Sequence, residues 1–301
     1  MTKSSYSVAV IGLGAMGMGA ALSCLRAGLT TYGIDLNTAA LARLKAAGAT
    51  AVAQDAGAFA EKLDAVLLLL VNAEQIRSVL FGANGLADKL NKGTALMLSS
   101  TISVQEVKEI SQKLTEKGLI VLDAPVSGGA AKAASGEITV MAAGSEAAFN
   151  KLQPMLTAVA AKVYNIGAEI GLGATVKIIH QLLAGVHIAA AAEAMALAAK
   201  AGIPLALMYE IVTHAAGNSW MFENRMKHVV EGDYSPLSMV DIFVKDLGLV
   251  TDTAKSLHFP LYLANTAHSM FTAASNAGYG KLDDSAVIKI FNAVSLPQKG
   301  E

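Results

Sequence analysis

The sequence predicts a doubly wound α/β domain with a parallel sheet core over residues 1–167, followed by an all-α domain over residues 168–301. Three observations predict it. Short apolar, β-rich runs alternate with helical patterns through the first half. The first of these runs leads directly into a glycine-rich turn, Gly12-Leu13-Gly14-Ala15-Met16-Gly17. After about Gly167 the strand signals fade, and helical segments continue to about Phe291.

Taken in order, the strands are expected at Ser7–Ile11, Thr30–Ile34, Ala65–Val71, Ala95–Leu98 and Leu119–Leu122. Each is a short apolar run, as befits a parallel sheet covered on both faces. Helices are expected between them at Met16–Ala27, Thr38–Ala47, Glu74–Leu80 and Val104–Lys117. Ser103 caps the last of these, and Glu106 completes a capping box. Thr139–Ala143 and Lys162–Asn165 read as further strands flanking a helix at Glu146–Ala160. In the second half, breaks fall at Gly202–Pro204, Gly217–Asn218, Gly232–Pro236, His258–Pro260 and Gly278–Gly280. Before them, Gly173–Ala201 reads as one helix on the order of 40 Å long at ~1.5 Å per residue. It is apolar almost all round, so it needs cover on most sides. Helical domains packed together in a homodimer or homotetramer supply that cover.

The balance of 23 basic and 24 acidic residues, net charge −1, argues against a nucleic-acid or membrane-surface partner. An apolar content of 53% argues against disorder over most of the chain. The single cysteine, Cys24, allows no internal disulfide and sits in an apolar helical pattern, so packing is its expected role and the reducing cytoplasm its compartment. Lys3–Leu25 superficially resembles a leader, but Gly12, Gly14, Gly17 and Gly19 mark it as a glycine fingerprint. Ile178–Ala199 is almost wholly apolar, yet His180, Gln181, His187 and Glu193 are costly in lipid, so a buried helix is expected and no membrane span. His214, His228, His258 and His268 lack ligand spacing, so no metal site is expected.

In the glycine turn each residue has a physical task. Gly12 permits the tight turn, Gly14 lets the backbone approach a pyrophosphate, and Gly17 lets helix and sheet pack closely. The helix that follows offers free N–H groups and a positive dipole to phosphate. Asp35 ends the second strand, where a ribose-binding acid belongs in such a Rossmann unit. Its carboxylate accepts from ribose hydroxyls and repels a 2′-phosphate. No arginine adjoins it, the nearest being Arg43, so NAD is expected over NADP.

Two further stretches suggest chemistry. Asp123-Ala124-Pro125-Val126-Ser127-Gly128-Gly129 follows a strand, and a Ser-Gly-Gly turn there exposes N–H groups and a hydroxyl to a carboxylate. An ordinary surface turn is the bland reading; the position at a strand's C-terminal end favours function. On the long helix, Lys177, Gln181 and Ala184 share a face, with His180 and His187 beside them. A lone Lys usually snorkels to the surface. Here apolar neighbours on the other sides argue that the stripe faces a cleft, where burial eases proton release from an ammonium. Trp220, Met221, Phe222 and Asn224 are cleft candidates too, although core packing is the favoured reading for the apolar ones.

With these residues in hand, the chain resembles the 3-hydroxyacid dehydrogenase family, which includes 3-hydroxyisobutyrate dehydrogenase and tartronate semialdehyde reductase. The glycine fingerprint with Met16-Gly17, the Asp-Ala-Pro-Val-Ser-Gly-Gly turn, the Gly-x-x-x-Lys helix start and Lys245-Asp246 occur in the family's order over nearly the whole chain. The resemblance implies an NAD-dependent oxidoreductase acting on a small hydroxy acid. Lys177 matches the family's catalytic lysine, and Ser127, Gly128 and Gly129 its substrate-carboxylate turn. Ser100-Thr101 matches a pair near nicotinamide and substrate. Lys245 matches a lysine near the cofactor, with Asp246 structural. Leu70-Val71 matches a Leu-Pro beside the adenosine half, with Val71 replacing proline. His180 and Gln181 stand where the family usually has Asn and then Asn or Gln, and Ser23 replaces an Asn in the first helix.

The two histidines beside Lys177 add hydrogen-bonding capacity that a methyl-bearing acid does not use, which implies a polyhydroxylated substrate. The run from Lys177 to His187 is most similar to the family's L-threonate-oxidising branch, which implies oxidation at C2; tartronate semialdehyde/D-glycerate interconversion and 3-hydroxyisobutyrate oxidation are the alternatives. An imine reductase on the same scaffold is disfavoured by Lys177. So is a non-catalytic nucleotide-binding module. 6-Phosphogluconate dehydrogenase is a related scaffold, but the chain is short for it and lacks the basic phosphate cluster.

Overall fold

The computed structural model describes residues 5–292 and 294–300. The chain divides into two compact units, the first ending at Lys177 and the second beginning at Ile178.

In the first unit the expected alternation appears as β1 (Ser7–Ile11), α1 (Ala15–Arg26), β2 (Thr30–Ile34), α2 (Thr38–Ala46), β3 (Ala51–Ala53), β4 (Ala65–Leu68), α3 (Ala73–Phe81), β5 (Ala95–Leu98), α4 (Val104–Glu116) and β6 (Ile120–Asp123). These six strands pair in parallel in the order β3-β2-β1-β4-β5-β6. Then come β7 (Val126–Ser127), α5 (Gly129–Ser135), β8 (Ile138–Gly144), α6 (Glu146–Val159) and β9 (Ala160–Gly167). Strand β8 runs antiparallel to β6 and β7, and β9 runs parallel to β8.

Alternation along each strand builds two cores. In β1, Val8 and Val10 pack with Met18 and Cys24 of α1 and Leu152 of α6, whereas Ala9 and Ile11 pack with Ile76 of α3 and Val107 and Ile110 of α4. The sheet is therefore covered on both faces, which explains why its strands read as continuous apolar runs. Cys24 is fully buried and burial pushes its thiol up to about 12, so it acts as a packing residue.

β3, β7 and α5 escaped the pattern. β3 and β7 are too short to show a period, and α5 is an alanine-rich turn of helix opened by Gly129. The run expected as a strand to Val71 ends at Leu68. Leu70 donates its N–H to the Ser100 hydroxyl at 2.9 Å, and Asn72 caps α3 through the Gln75 N–H. The capping box of Ser103 and Glu106 is present.

The long apolar helix is α7 (Leu172–Lys200), and the boundary between the two units falls within it. The second unit continues with α8 (Leu205–Thr213), α9 (Trp220–Glu231), α10 (Val240–Ser256) and α11 (Leu263–Ala274), then turns at Ser275–Tyr279 and Asp284–Ile290. Gly185 lets α7 approach α10: a Cβ there would lie 2.8 Å from a Leu247 methyl. Phe243 of α10 stacks on Phe271 of α11 at 5.1 Å. Arg225 of α9 is paired with Asp284 at 2.6 Å, both side chains out of solvent. By length and composition α7 is apolar enough to cross a membrane, but half of its most apolar stretch is buried inside the protein.

Candidate active site

The glycine turn lies at the C-terminal end of β1, beside the end of β4, where the strand order reverses direction. Ligands bind doubly wound sheets at such a crevice. Gly12 takes φ +89°, and its N–H donates to the Ile34 carbonyl at 2.9 Å. A Cβ at Gly12 would sit 2.5 Å from the Leu69 carbonyl oxygen, and one at Gly17 would collide with the Gly12 carbonyl. Gly14 is the contrasting case: it is exposed, and its Cβ direction is open space. It stands at the N-cap of α1 with no side-chain cap, and the first turn holds no acid. Ala15 is exposed and Met16 half-buried there, while Leu13 is buried below. A bare, open helix N-terminus fits a pyrophosphate.

Asp35 lies against the same turn. Its Oδ2 accepts the Leu13 N–H at 2.5 Å and its Oδ1 the Asn37 N–H at 2.7 Å. The carboxylate is thus held against the glycine turn at the end of β2, with further acceptor capacity for ribose hydroxyls. Asn37, not Asp35, caps α2, as its side chain accepts from Ala39 and Ala40. Leu70 and Val71 follow β4 at the crevice, Val71 being exposed. These residues fit NAD.

At the neighbouring strand ends, Ser100 is buried and serves the loop after β4 through its bond from Leu70, whereas Thr101 beside it is half-buried. Ser99 donates to the Ala124 carbonyl at 2.8 Å, tying β5 to β6. Ser127 ends β7 half-buried, and Gly128 and Gly129 follow with φ +133° and +74°. The turn is therefore not free-standing: Gly129 opens α5, which lies against α1. Ser23 of α1 donates to the Ala133 carbonyl at 2.9 Å, and a Cβ on Gly19 would be 2.6 Å from the Ala134 nitrogen. One helix thus follows the glycine turn and braces the turn that follows Ser127.

Asp123, read in the sequence only as the start of the turn motif, has a role of its own. It is buried at the end of β6, and its Oδ2 accepts the N–H groups of Gly171 at 2.9 Å and Ala174 at 3.0 Å. Gly173 between them has no room for a side chain, since a Cβ would lie 2.6 Å from the Asp123 carbonyl oxygen. The first turn of α7 is therefore fastened to the sheet. Burial pushes the Asp123 carboxyl up to about 6, against the lowering effect of those N–H donors. The available signals were Asp before Ala-Pro at a strand end and Gly171-x-Gly173 before a helix.

Lys177 lies less than two turns into α7 and is buried, not snorkelling. Farther along the same helix, in the second unit, Gln181 is buried, His180 half-buried and His187 exposed. Gln181 donates to Asp246 of α10 at 2.5 Å, and Lys245 pairs with the same carboxylate at 2.6 Å. Of the α9 candidates, Phe222 is core and Trp220 is exposed.

Residues 7–167 match the NAD binding domain of 6-phosphogluconate dehydrogenase, and residues 171–291 match the NAD-binding family of NADP-dependent 3-hydroxyisobutyrate dehydrogenase. The chain is 76% identical over 300 residues to L-threonate dehydrogenase of Haemophilus influenzae, covering 100% of both chains. It is 53% identical over 297 residues to L-threonate dehydrogenase of Cupriavidus necator, covering 99% of this chain and 100% of that one. A crystal structure of 3-hydroxyisobutyrate dehydrogenase from Salmonella typhimurium superposes with a TM-score of 0.93 at 67% identity, covering 95% of this chain and 100% of that one.

Proposed function

Since the chain belongs to the 3-hydroxyacid dehydrogenase family and carries out NAD-dependent oxidation of a small hydroxy acid, we propose that its substrate is L-threonate, oxidised at C2 to 2-oxo-tetronate. The observation that carries the choice is the polar stripe Lys177, His180 and Gln181 on one face of an otherwise apolar helix. A four-carbon acid with several hydroxyls uses such a stripe, and the full-length relatives bearing that name support it. Bound NAD supplies the hydride acceptor for the hydrogen on C2.

In this reading the chain's own groups do the rest. Ser127 and the N–H groups of Gly128 and Gly129 grip the carboxylate. Lys177, as the neutral amine, takes the hydroxyl proton as the C2–O bond becomes a carbonyl. Asp123 positions Lys177 by anchoring the first turn of α7. Gly12–Gly17 and Asp35 hold the dinucleotide, assisted by Leu70, Val71 and Thr101. The name borne by the Salmonella structure supports 3-hydroxyisobutyrate as a second reading. Following NADH formation with L-threonate, D-threonate, D-glycerate and 3-hydroxyisobutyrate decides between them. Inert L-threonate beside efficient turnover of another acid would overturn the assignment.

Homo-oligomerisation belongs to the same proposal. Ile179, Leu183 and Leu197 of α7 and Leu207 and Ile211 of α8 are exposed apolar side chains on the second unit. Apolar surface of that kind favours a partner, and a second copy of the chain is the economical one. The near-neutral charge and free, buried Cys24 accord with a cytoplasmic enzyme that has no nucleic-acid partner.

A further inference from the structure

Asp246 of α10 is 2% exposed, and both its oxygens are engaged. Oδ2 accepts from the Gln181 amide at 2.5 Å and Oδ1 from the Lys245 ammonium at 2.6 Å. Gln181 in turn places its Oε1 3.0 Å from Nδ1 of His180. Four side chains of the second unit thus form one directed chain.

Donor and acceptor chemistry fixes the direction. A carboxylate paired with an ammonium only accepts, so Gln181 must turn its NH2 toward Asp246 and its carbonyl oxygen toward His180. A carbonyl oxygen also only accepts, so the proton between Gln181 and His180 resides on Nδ1. In the neutral ring Nε2 is then the acceptor. His180 follows Lys177 at the i+3 position, where side chains are neighbours about 5–6 Å apart at Cβ. Two such neighbours can meet two adjacent hydroxyls of one substrate.

We propose that Asp246 is a positioning residue that, through Gln181, sets His180 as the Nδ1–H tautomer, so that Nε2 accepts the hydroxyl next to the one oxidised. The hydroxyl contact rests on the L-threonate reading; the tautomer does not. The isosteric variant Asp246→Asn tests both. Its carbonyl oxygen must face Lys245, leaving an NH2 toward Gln181. Gln181 then reverses, and His180 is driven to the Nε2–H form without change of shape.

The measurements use the full-length protein. Nitrogen-15 NMR of the histidine rings, with His180 assigned by His180→Gln, reads the tautomer at a pH where the ring is neutral. The native protein should show Nδ1–H, and Asp246→Asn should show Nε2–H. Native His180 found as Nε2–H overturns the proposal without any variant being needed. Kinetically, Asp246→Asn should lower kcat/KM for L-threonate about 10- to 100-fold and that for its 3-deoxy analogue by less than about threefold. Equal losses on the two acids overturn the hydroxyl contact. If L-threonate is inert while the tautomer switches as expected, the substrate reading fails and the positioning role of Asp246 is supported.

Discussion

The Asp123 carboxylate accepts the Ala174 N–H at 3.0 Å, so that the last residue of β6 holds the first turn of the helix bearing Lys177. This one contact joins the end of the sheet to the proposed proton-transfer group. It also places a titratable group where its protonation has a measurable cost.

Burial raises Asp123 from its ordinary value of 3.8 to about 6. Between those values the folded chain retains a proton that the unfolded chain has released. The group's contribution to stability is therefore fully present below about pH 4 and lost as the pH rises to about 6. Asp123→Asn removes this titration. Denaturation of the two proteins across that range should show the native chain losing stability relative to the variant as the pH rises, with a constant gap above it. A gap that does not change with pH would contradict the assignment.

Lys177→Ala should lower turnover by roughly 10²–10⁴-fold, the usual worth of positioned proton transfer. NADH binding, followed by fluorescence titration, should stay within about threefold of native, since the glycine turn proposed to hold the cofactor lies in other elements. Near-native kcat would remove Lys177 from its role.

Native protein should prefer NAD to NADP, and Asp35→Ala should narrow that preference about tenfold or more by removing the charge at the proposed ribose site. The carboxylate also accepts the Leu13 and Asn37 N–H groups, so some affinity for NAD should be lost as well. Unequal effects on the two cofactors, measured as kcat/KM, are the decisive sign.

In the second unit, Arg225→Met leaves the Asp284 carboxyl buried without its partner. Urea unfolding should show a loss of about 3–5 kcal/mol, largely recovered by adding Asp284→Asn. A small loss from the single change would mean that the pair contributes little.

Leu183 is exposed in the middle of α7's apolar stripe. Leu183→Glu should shift the protein toward monomer in light scattering at micromolar concentration while leaving its circular dichroism unchanged. A native chain that is already monomeric would refute the oligomer.

Much of this protein could be read from its residues in order. Gly12, Gly14 and Gly17 announce the glycine turn after β1 because only a missing side chain satisfies a φ of +89°, an open approach and a backbone collision. The parallel strands are legible because burial on both faces leaves apolar runs, and α7 is legible because its length and composition admit few other structures. All of these are local properties of the chain. What tertiary structure alone decided are partnerships between distant segments: Asp123 with Gly171 and Ala174, Ser23 with Ala133, and Gln181 with Asp246. A buried polar group must find a complementary donor or acceptor, but its residue type says only that one is needed. Folding brings that partner near, and so gave Asp246, expected from the sequence only to be structural, the Gln181 amide as a partner beside its Lys245 pairing, with the His180 ring next to Gln181.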